Sequence, residues 1–343
     1  MIAEQADACT LAPIIQIHPT LRCNLRCLHC YSESSPRQKD SLSTETIIGT
    51  LDAAWRQGYR TASFSGGEPT LSSDLGGMLR HAKALGMRTT VTSNGMLLSA
   101  ERLDTFATHT DVLAISLDGA PATHDRMRDC PGAFDRMAAN LEAVRASGVQ
   151  FGFIFTLTLH NADEIAWAAD FALSQGAKLF QIHPLEEVGR AFETLSGRRP
   201  DAVECAFAYL EAEAIRARFG GKLFVQLDLF HRDLVARLPD RFYADQALTF
   251  APHLAQCVSP IVLEADGTVS PIGYGFGRRY AIGCVRDRSL DDLAGEWIAE
   301  VYPAFRALCA RVYGEACRPS PLPFLNWFEM LQLASLETAD ALQ

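Results

Sequence analysis

Along the first half of the chain, short β-rich runs alternate with longer stretches whose apolar residues recur at helical spacing. The runs lie at residues 14–18, 61–65, 88–93, 112–117, 151–157 and 179–183. Between the first two, residues 44–57 open on Ser43 and Thr44 as caps and carry Ile47, Ile48, Leu51 and Trp55 on one face. Residues 74–85, 99–108, 134–147 and 162–175 read the same way, several stopping at Gly86, Gly148 or Gly176. Strand, helix, strand at this spacing predicts right-handed βαβ units on a parallel sheet. Six such units suit a partial barrel or an open doubly wound sheet, and periodicity does not choose between them.

From about residue 184 the rhythm changes. A helix at 201–219 leads to a strand at 222–228, and a Pro-, Gly- and Cys-containing region follows over 238–323. This divides the chain into an N-terminal segment (1–13), a main unit (14–185), a connecting helix and strand (186–235) and a C-terminal unit (236–343). Near the C-terminus Phe324, Leu325, Trp327, Phe328 and Leu331 predict a packing helix. There is no repeat beyond the βα unit.

Composition narrows the function. The net charge is −10 and no Lys/Arg run exceeds two residues, which argues against a nucleic-acid partner. No apolar run approaches the ~18 residues of a membrane span. Residues 1–13 carry Glu4 and Asp7 without a basic start, which is not a secretory signal, so a cytoplasmic location is expected. In that compartment ten cysteines are not a disulfide framework. Cys9, Cys130 and Cys205 are isolated and read as inert, partly buried thiols.

Cys23, Cys27 and Cys30 stand directly after the first predicted strand, three thiols able to turn toward one centre from one loop. Structural zinc takes four N/S ligands, commonly from paired knuckles, and no second CxxC pair exists here. An iron–sulfur cube also takes four ligands, so three local cysteines leave one iron open.

This CxxxCxxC spacing, followed by the aromatic Tyr31, resembles the signature of the radical S-adenosylmethionine (radical SAM) superfamily. The resemblance implies a partial (β/α)6 TIM-like barrel of α/β class, a [4Fe–4S] cluster on Cys23, Cys27 and Cys30, and S-adenosylmethionine chelated at the open iron. One-electron reduction would then yield a 5′-deoxyadenosyl radical that abstracts hydrogen from substrate.

Further motifs fall just after predicted strands, where parallel α/β folds bind ligands. Gly66, Gly67 and Glu68 resemble the family's GGE motif, which holds the methionine amino group; the bland reading is a Gly-Gly turn with a solvated Glu. Ser93 and Asn94 after the third strand, and Ser116 and Asp118 after the fourth, resemble segments lining the cofactor's ribose and carboxylate. As residues they are also ordinary turn formers. Arg128, ending His124-Asp125-Arg126-Met127-Arg128, resembles the Arg that reaches the cofactor carboxylate in peptide-modifying members. Asp129-Cys130 departs from the Gly common there. Gln181 and His183 would face the barrel top or serve as satisfied core polar groups.

The stretch from Cys257 through Asp266-Gly267 to Ile272 resembles the opening of a SPASM or twitch extension, and Asp-Gly between apolar alternation supports a hairpin. The likeness continues over 282–293. Ile272 stands where a ligand cysteine is expected. The remaining set, Cys257, Cys284, Cys309 and Cys317, suits either a rearranged auxiliary iron–sulfur cluster or a degenerate SPASM/twitch-like unit that keeps only the fold and closes the barrel's open side.

The resulting expectation is a radical SAM enzyme acting on a peptide or a small molecule, served by a reductant such as flavodoxin or ferredoxin. The main unit begins at Ile14 with no peptide-recognition domain before it, which weighs against a peptide. The alternative is an iron–sulfur electron-transfer or scaffold protein. A pure carrier would have no use for Gly66, Gly67 and Glu68.

Overall fold

The computed structural model of the protein describes residues 12–243, 252–320 and 323–337. Seven strands run parallel and in sequence order: β1 (Ile14–Ile17), β2 (Thr61–Phe64), β3 (Arg88–Ser93), β4 (Val112–Ser116), β5 (Phe151–Leu157), β6 (Leu179–Pro184) and β7 (Phe224–Leu227). β8 (Phe230–His231) lies outside this sheet. On the other side of β1 come β9 (Ile261–Leu263), parallel to it, then β10 (Thr268–Pro271) and β11 (Gly283–Cys284), each antiparallel to its neighbour. β12 (Phe324–Leu325) pairs with β8 in a small ribbon. The main sheet has ten strands with β7 and β11 at its edges, so among the described residues the barrel does not close. The fold is α/β with a mostly parallel sheet.

The predicted strand at 222–228 is thus a seventh member of the sheet. The Asp266-Gly267 hairpin forms as expected but joins the same sheet, with Gly267 at φ 94° in the turn. The helix predicted over 134–147 is broken at Asn140 into Ala133–Ala139 and Leu141–Ser147. Asn140 Nδ2 donates to the Gly95 and Arg136 carbonyls. A helix at Pro121–Arg128 was not predicted, because its residues are largely polar and its apolar stripe is short. Among the described residues no helix is long and apolar enough to cross a membrane.

Alternation along the strands sets up two unlike faces. Ile15, Ile17, Phe64, Val91, Ile115, Phe153, Phe155, Phe180 and Ile182 are fully buried in one continuous core with the helices. On the other face Gln16, Ser63, Thr90, Ser116, Thr156, Gln181, His183 and Gln226 are only half-buried. Register aligns Gln16 with Ser63 and Thr90, Gln181 with Gln226, and Thr156 with His183. A filled barrel carries branched apolar side chains on its inner face. Here that face is a polar wall.

Candidate active site

The cysteines occupy the loop between β1 and the helix Thr44–Arg56, at the C-terminal end of the sheet. The Leu25 N–H donates to Cys23 Sγ (3.4 Å), and the Ser34 N–H to Cys30 Sγ (3.3 Å). Arg128 Nη1 lies 3.6 Å from Cys27 Sγ. The loop is strapped down from the exit of β6. Buried Arg190 donates from its side chain to the Cys27 and Ser34 carbonyls at 2.9 and 2.7 Å, and from its N–H to the Cys30 carbonyl. Thr194 Oγ1 donates to the Leu28 carbonyl (2.6 Å). Gly189 passes so close to Tyr31 that a Cβ there would overlap its carbonyl. Neither Gly189 nor Arg190 is recognisable from local pattern. Arg190 is a buried cation at the start of the short helix Arg190–Thr194, and only its carbonyl partners explain it.

These residues fit a [4Fe–4S] cluster. Amide N–H groups and a guanidinium aimed at sulfur suit thiolates that have exchanged protons for iron. Without a metal, burial pushes the Cys23 thiol up to about 12, with neighbouring Cys27 adding to the effect. Burial also raises Cys27, against the pull of the Arg128 charge. Among the described residues no three His, Cys, Asp or Glu side chains converge on a single ion position. A cube would give each of the three thiolates its own iron.

Gly66 and Gly67 are required by the cysteine loop itself. A Cβ on Gly67 would lie 2.4 Å from the Arg22 carbonyl oxygen, and one on Gly66 (φ 104°) 2.9 Å from that of Thr20. The N–H groups of Gly67 and Glu68 donate to those same two carbonyls. Glu68 is buried and already takes four hydrogen bonds: from Thr70 N–H and Oγ1, from Ser93 Oγ (2.9 Å) and from the Asn94 N–H (2.9 Å). Three of these reach Oε1 and only the Asn94 N–H reaches Oε2, so Oε2 retains an acceptor position. Burial raises the Glu68 carboxyl above its usual range, opposed by these donors. Asn94 Nδ2 donates to Asn24 Oδ1 (2.8 Å), tying the β3 turn to the cysteine loop. Ser93 and Asn94 are buried braces.

Asp118, fully buried, pairs with Arg128 Nε at 2.7 Å and approaches His29 Nε2 at 3.7 Å. Burial lowers His29 to about 4, with the Asp118 charge opposing it. Ser116, half-buried on the polar wall, has a hydroxyl with no protein partner among the described residues. The Tyr31 hydroxyl lies within 3.3 Å of Gln16 Nε2 and His18 Nε2, and 3.2 Å from Ser65 Oγ. Tyr274, beyond β10, stacks on the His18 ring with centroids 5.0 Å apart. At the far end of the wall Asp228 accepts from Gln181 Nε2 (2.6 Å), His183 Nδ1 (3.0 Å) and Gln226 Nε2 (2.6 Å). His18, Tyr274 and Asp228 carry no motif; register and hairpin packing bring them in.

The C-terminal cysteines differ in exposure. Cys257 and Cys309 are buried, Cys284 sits half-buried in β11, and Cys317 is exposed at the end of the helix Tyr302–Ala316. Ile272 is a core residue with φ 66°. Cys130 and Cys205 are half-buried, and Cys9 lies outside the described residues.

The profile described as Radical SAM superfamily matches residues 17–172. Fe-coproporphyrin III synthase of Methanosarcina barkeri is 33% identical over 172 residues, 50% of this chain and 43% of that protein. The chain spans about half the length of the relatives it matches at 30–33% identity. PqqA peptide cyclase of Xanthomonas campestris is 26% identical over 313 residues, 90% of this chain and 79% of the relative. The structure of Streptococcus suis SuiB bound to S-adenosylmethionine superposes with a TM-score of 0.68 at 16% identity, covering 90% of this chain and 70% of SuiB. That last likeness speaks to fold alone. Profile, relatives and the cysteine loop agree on a radical SAM domain over residues 17–172, and that superfamily uses a [4Fe–4S] cluster and S-adenosylmethionine.

Proposed function

We propose that this enzyme abstracts a hydrogen atom from a peptide substrate, in peptide maturation. The supporting observation is the extent of the likeness: the match to a peptide cyclase runs through the C-terminal hairpin, while the matches to haem-pathway enzymes cover about half the chain. A small-molecule substrate in cofactor biosynthesis is the second reading, favoured by the higher identity over that half.

In this reading Cys23, Cys27 and Cys30 hold the cluster, and Arg190, Thr194 and Gly189 fix the loop that carries them. The bound cluster and S-adenosylmethionine supply the 5′-deoxyadenosyl radical. Tyr31 and the free hydroxyl of Ser116 face the cofactor, together with the backbone of Gly66 and Gly67. Glu68, Ser93, Asn94 and Asp118 act behind them by holding the turns, and Arg128 sets the charge at Cys27. The region from Cys257 onward is a reduced SPASM-like unit whose hairpin closes the β1 side, with Cys257, Cys284, Cys309 and Cys317 left unligated. The polar wall from Gln16 to Gln226 faces substrate. The enzyme works in the reducing cytoplasm, with a flavodoxin- or ferredoxin-type reductant.

The test is anaerobic reconstitution, reduction with dithionite, and incubation with S-adenosylmethionine and a short peptide encoded beside the gene. The expected result is 5′-deoxyadenosine formation with a mass change in the peptide. Turnover that modifies a small metabolite and leaves every such peptide untouched would overturn the peptide reading.

A further inference from the structure

Beside the cysteine loop a cleft of about 630 Å³ is lined by Arg22, Arg37, Gln38, Lys39, Ser72 and Ser73, among others. Arg22, Arg37 and Lys39 are exposed, and none of their charged groups has an acidic partner among the described residues. Arg26, also exposed and unpaired, adds to the same loop. Against these four cations the loop carries two exposed acids, Glu33 and Asp40. This surplus of positive charge sits in a chain whose net charge is −10.

The cleft is joined to the cluster ligands by backbone. The Leu21 N–H donates to the Asp40 carbonyl (2.9 Å), the Cys23 N–H to that of Ser35 (3.1 Å), and the Leu42 N–H to that of Pro19 (3.0 Å). Segment 35–42 therefore lies alongside 19–23, and Arg22 is the residue before Cys23. A small-anion site would hold a buried charged group aimed inward. Here the cations stand exposed on a rim, the arrangement that steers a large charged partner.

We propose that this cleft is the docking surface for an acidic one-electron carrier protein, and that Arg22, Arg37 and Lys39 steer it to the cysteine loop. The inference rests on the radical reading above. In the step the carrier is oxidised by one electron and the centre held by Cys23, Cys27 and Cys30 is reduced by one; no bond in the carrier forms or breaks. The peptide would approach from the polar wall, so reductant and substrate use different faces of the loop.

The test compares the full-length, cluster-loaded wild type with Arg37→Glu/Lys39→Glu. Neither residue belongs to the cofactor or substrate machinery. Calorimetric titration with a purified acidic flavodoxin at low salt should show about tenfold or greater weakening in the double variant. Wild-type binding should itself weaken as salt rises. 5′-Deoxyadenosine formation driven by reduced flavodoxin should fall by a similar factor, while the rate with dithionite stays unchanged. Equal flavodoxin binding in the two proteins would overturn the proposal, and so would an equal loss in the dithionite reaction. If wild type forms no 5′-deoxyadenosine even with dithionite, the radical reading fails, while calorimetry still decides the docking surface.

Discussion

The guanidinium of Arg128 bridges Asp118 and Cys27, with Nε 2.7 Å from Asp118 Oδ2 and Nη1 3.6 Å from Cys27 Sγ. Burial alone would raise the Asp118 carboxyl. The charge of Arg128, with smaller help from His29 and His124, outweighs this and holds it below its usual range. Asp118→Asn would leave Arg128 buried without a counter-charge, and breaking a buried pair in this way costs about 3–5 kcal/mol. Denaturant unfolding should show that loss. The same variant should retain less iron after reconstitution, because the segment that buttresses Leu28 and Cys27 loosens.

Gly67→Ala is the sharpest test of the contact between the β2 turn and the cysteine loop. The added methyl meets backbone, the Arg22 carbonyl oxygen, and neither loop can yield without breaking the hydrogen bonds that join them. A destabilisation of about 2–4 kcal/mol is expected, at the upper end of single substitutions. Iron content should fall with it. Gly86→Ala, with open space around the Cβ position but φ 76°, is the control: it should cost about 1 kcal/mol and leave iron unchanged.

Much of this site was legible in the sequence, and the remainder fails for a consistent reason. The cysteine loop, the turns after β2, β3 and β4, and the Asp266-Gly267 hairpin all announce themselves through local spacing. What each residue touches does not. The close approach allowed by Gly66 and Gly67 is visible in the sequence, but its partner is the cysteine loop's own backbone. β9 pairs with β1 across more than two hundred residues, and three residues of periodicity say nothing of that. Gln181 and His183 read equally well as core groups or as site groups until β7 joins the sheet and brings Asp228 beside them.

Iron counting tests the reading of the C-terminal cysteines. With Cys257 and Cys309 buried and Cys317 exposed at a helix end, one cluster's worth is expected, about four irons per loaded chain. Replacing Cys23, Cys27 and Cys30 together by Ala should remove it. Replacing Cys309 and Cys317 should change nothing, and a fall from about eight irons to about four in that variant would establish an auxiliary cluster.

His183 should make stability fall at alkaline pH. Burial alone would lower its pKa. The hydrogen bond to Asp228 and the charges of Glu186, Asp228 and Glu329 outweigh burial and lift it to about 9. A raised folded value means the contribution is complete below the unfolded value of ~6.5 and is lost as pH climbs through about 9. The ring is 39% exposed, so the effect is small. Urea midpoints measured across this window should decline in the wild type and flatten in His183→Gln.

His18 should act in the opposite direction, and Tyr274 decides how strongly. Burial under the stacked Tyr274 ring holds His18 at about 3, and its neighbours Tyr31 and Gln16 supply no opposing charge. Below pH ~6.5 the unfolded chain takes up a proton that the folded chain refuses, so stability falls as pH drops from there toward about 3. Tyr274→Ala removes the lid that the C-terminal hairpin places on β1. It should cost about 0.5–1.5 kcal/mol for the lost ring pair beyond the buried area. Water then reaches the imidazole, its pKa moves back toward the ordinary histidine range, and the acid-side slope of stability becomes shallower. Histidine titration by NMR, with His18→Gln to assign the resonance, reads the shift directly. An unchanged His18 in Tyr274→Ala would mean that the strand and the cysteine loop bury the ring without the hairpin.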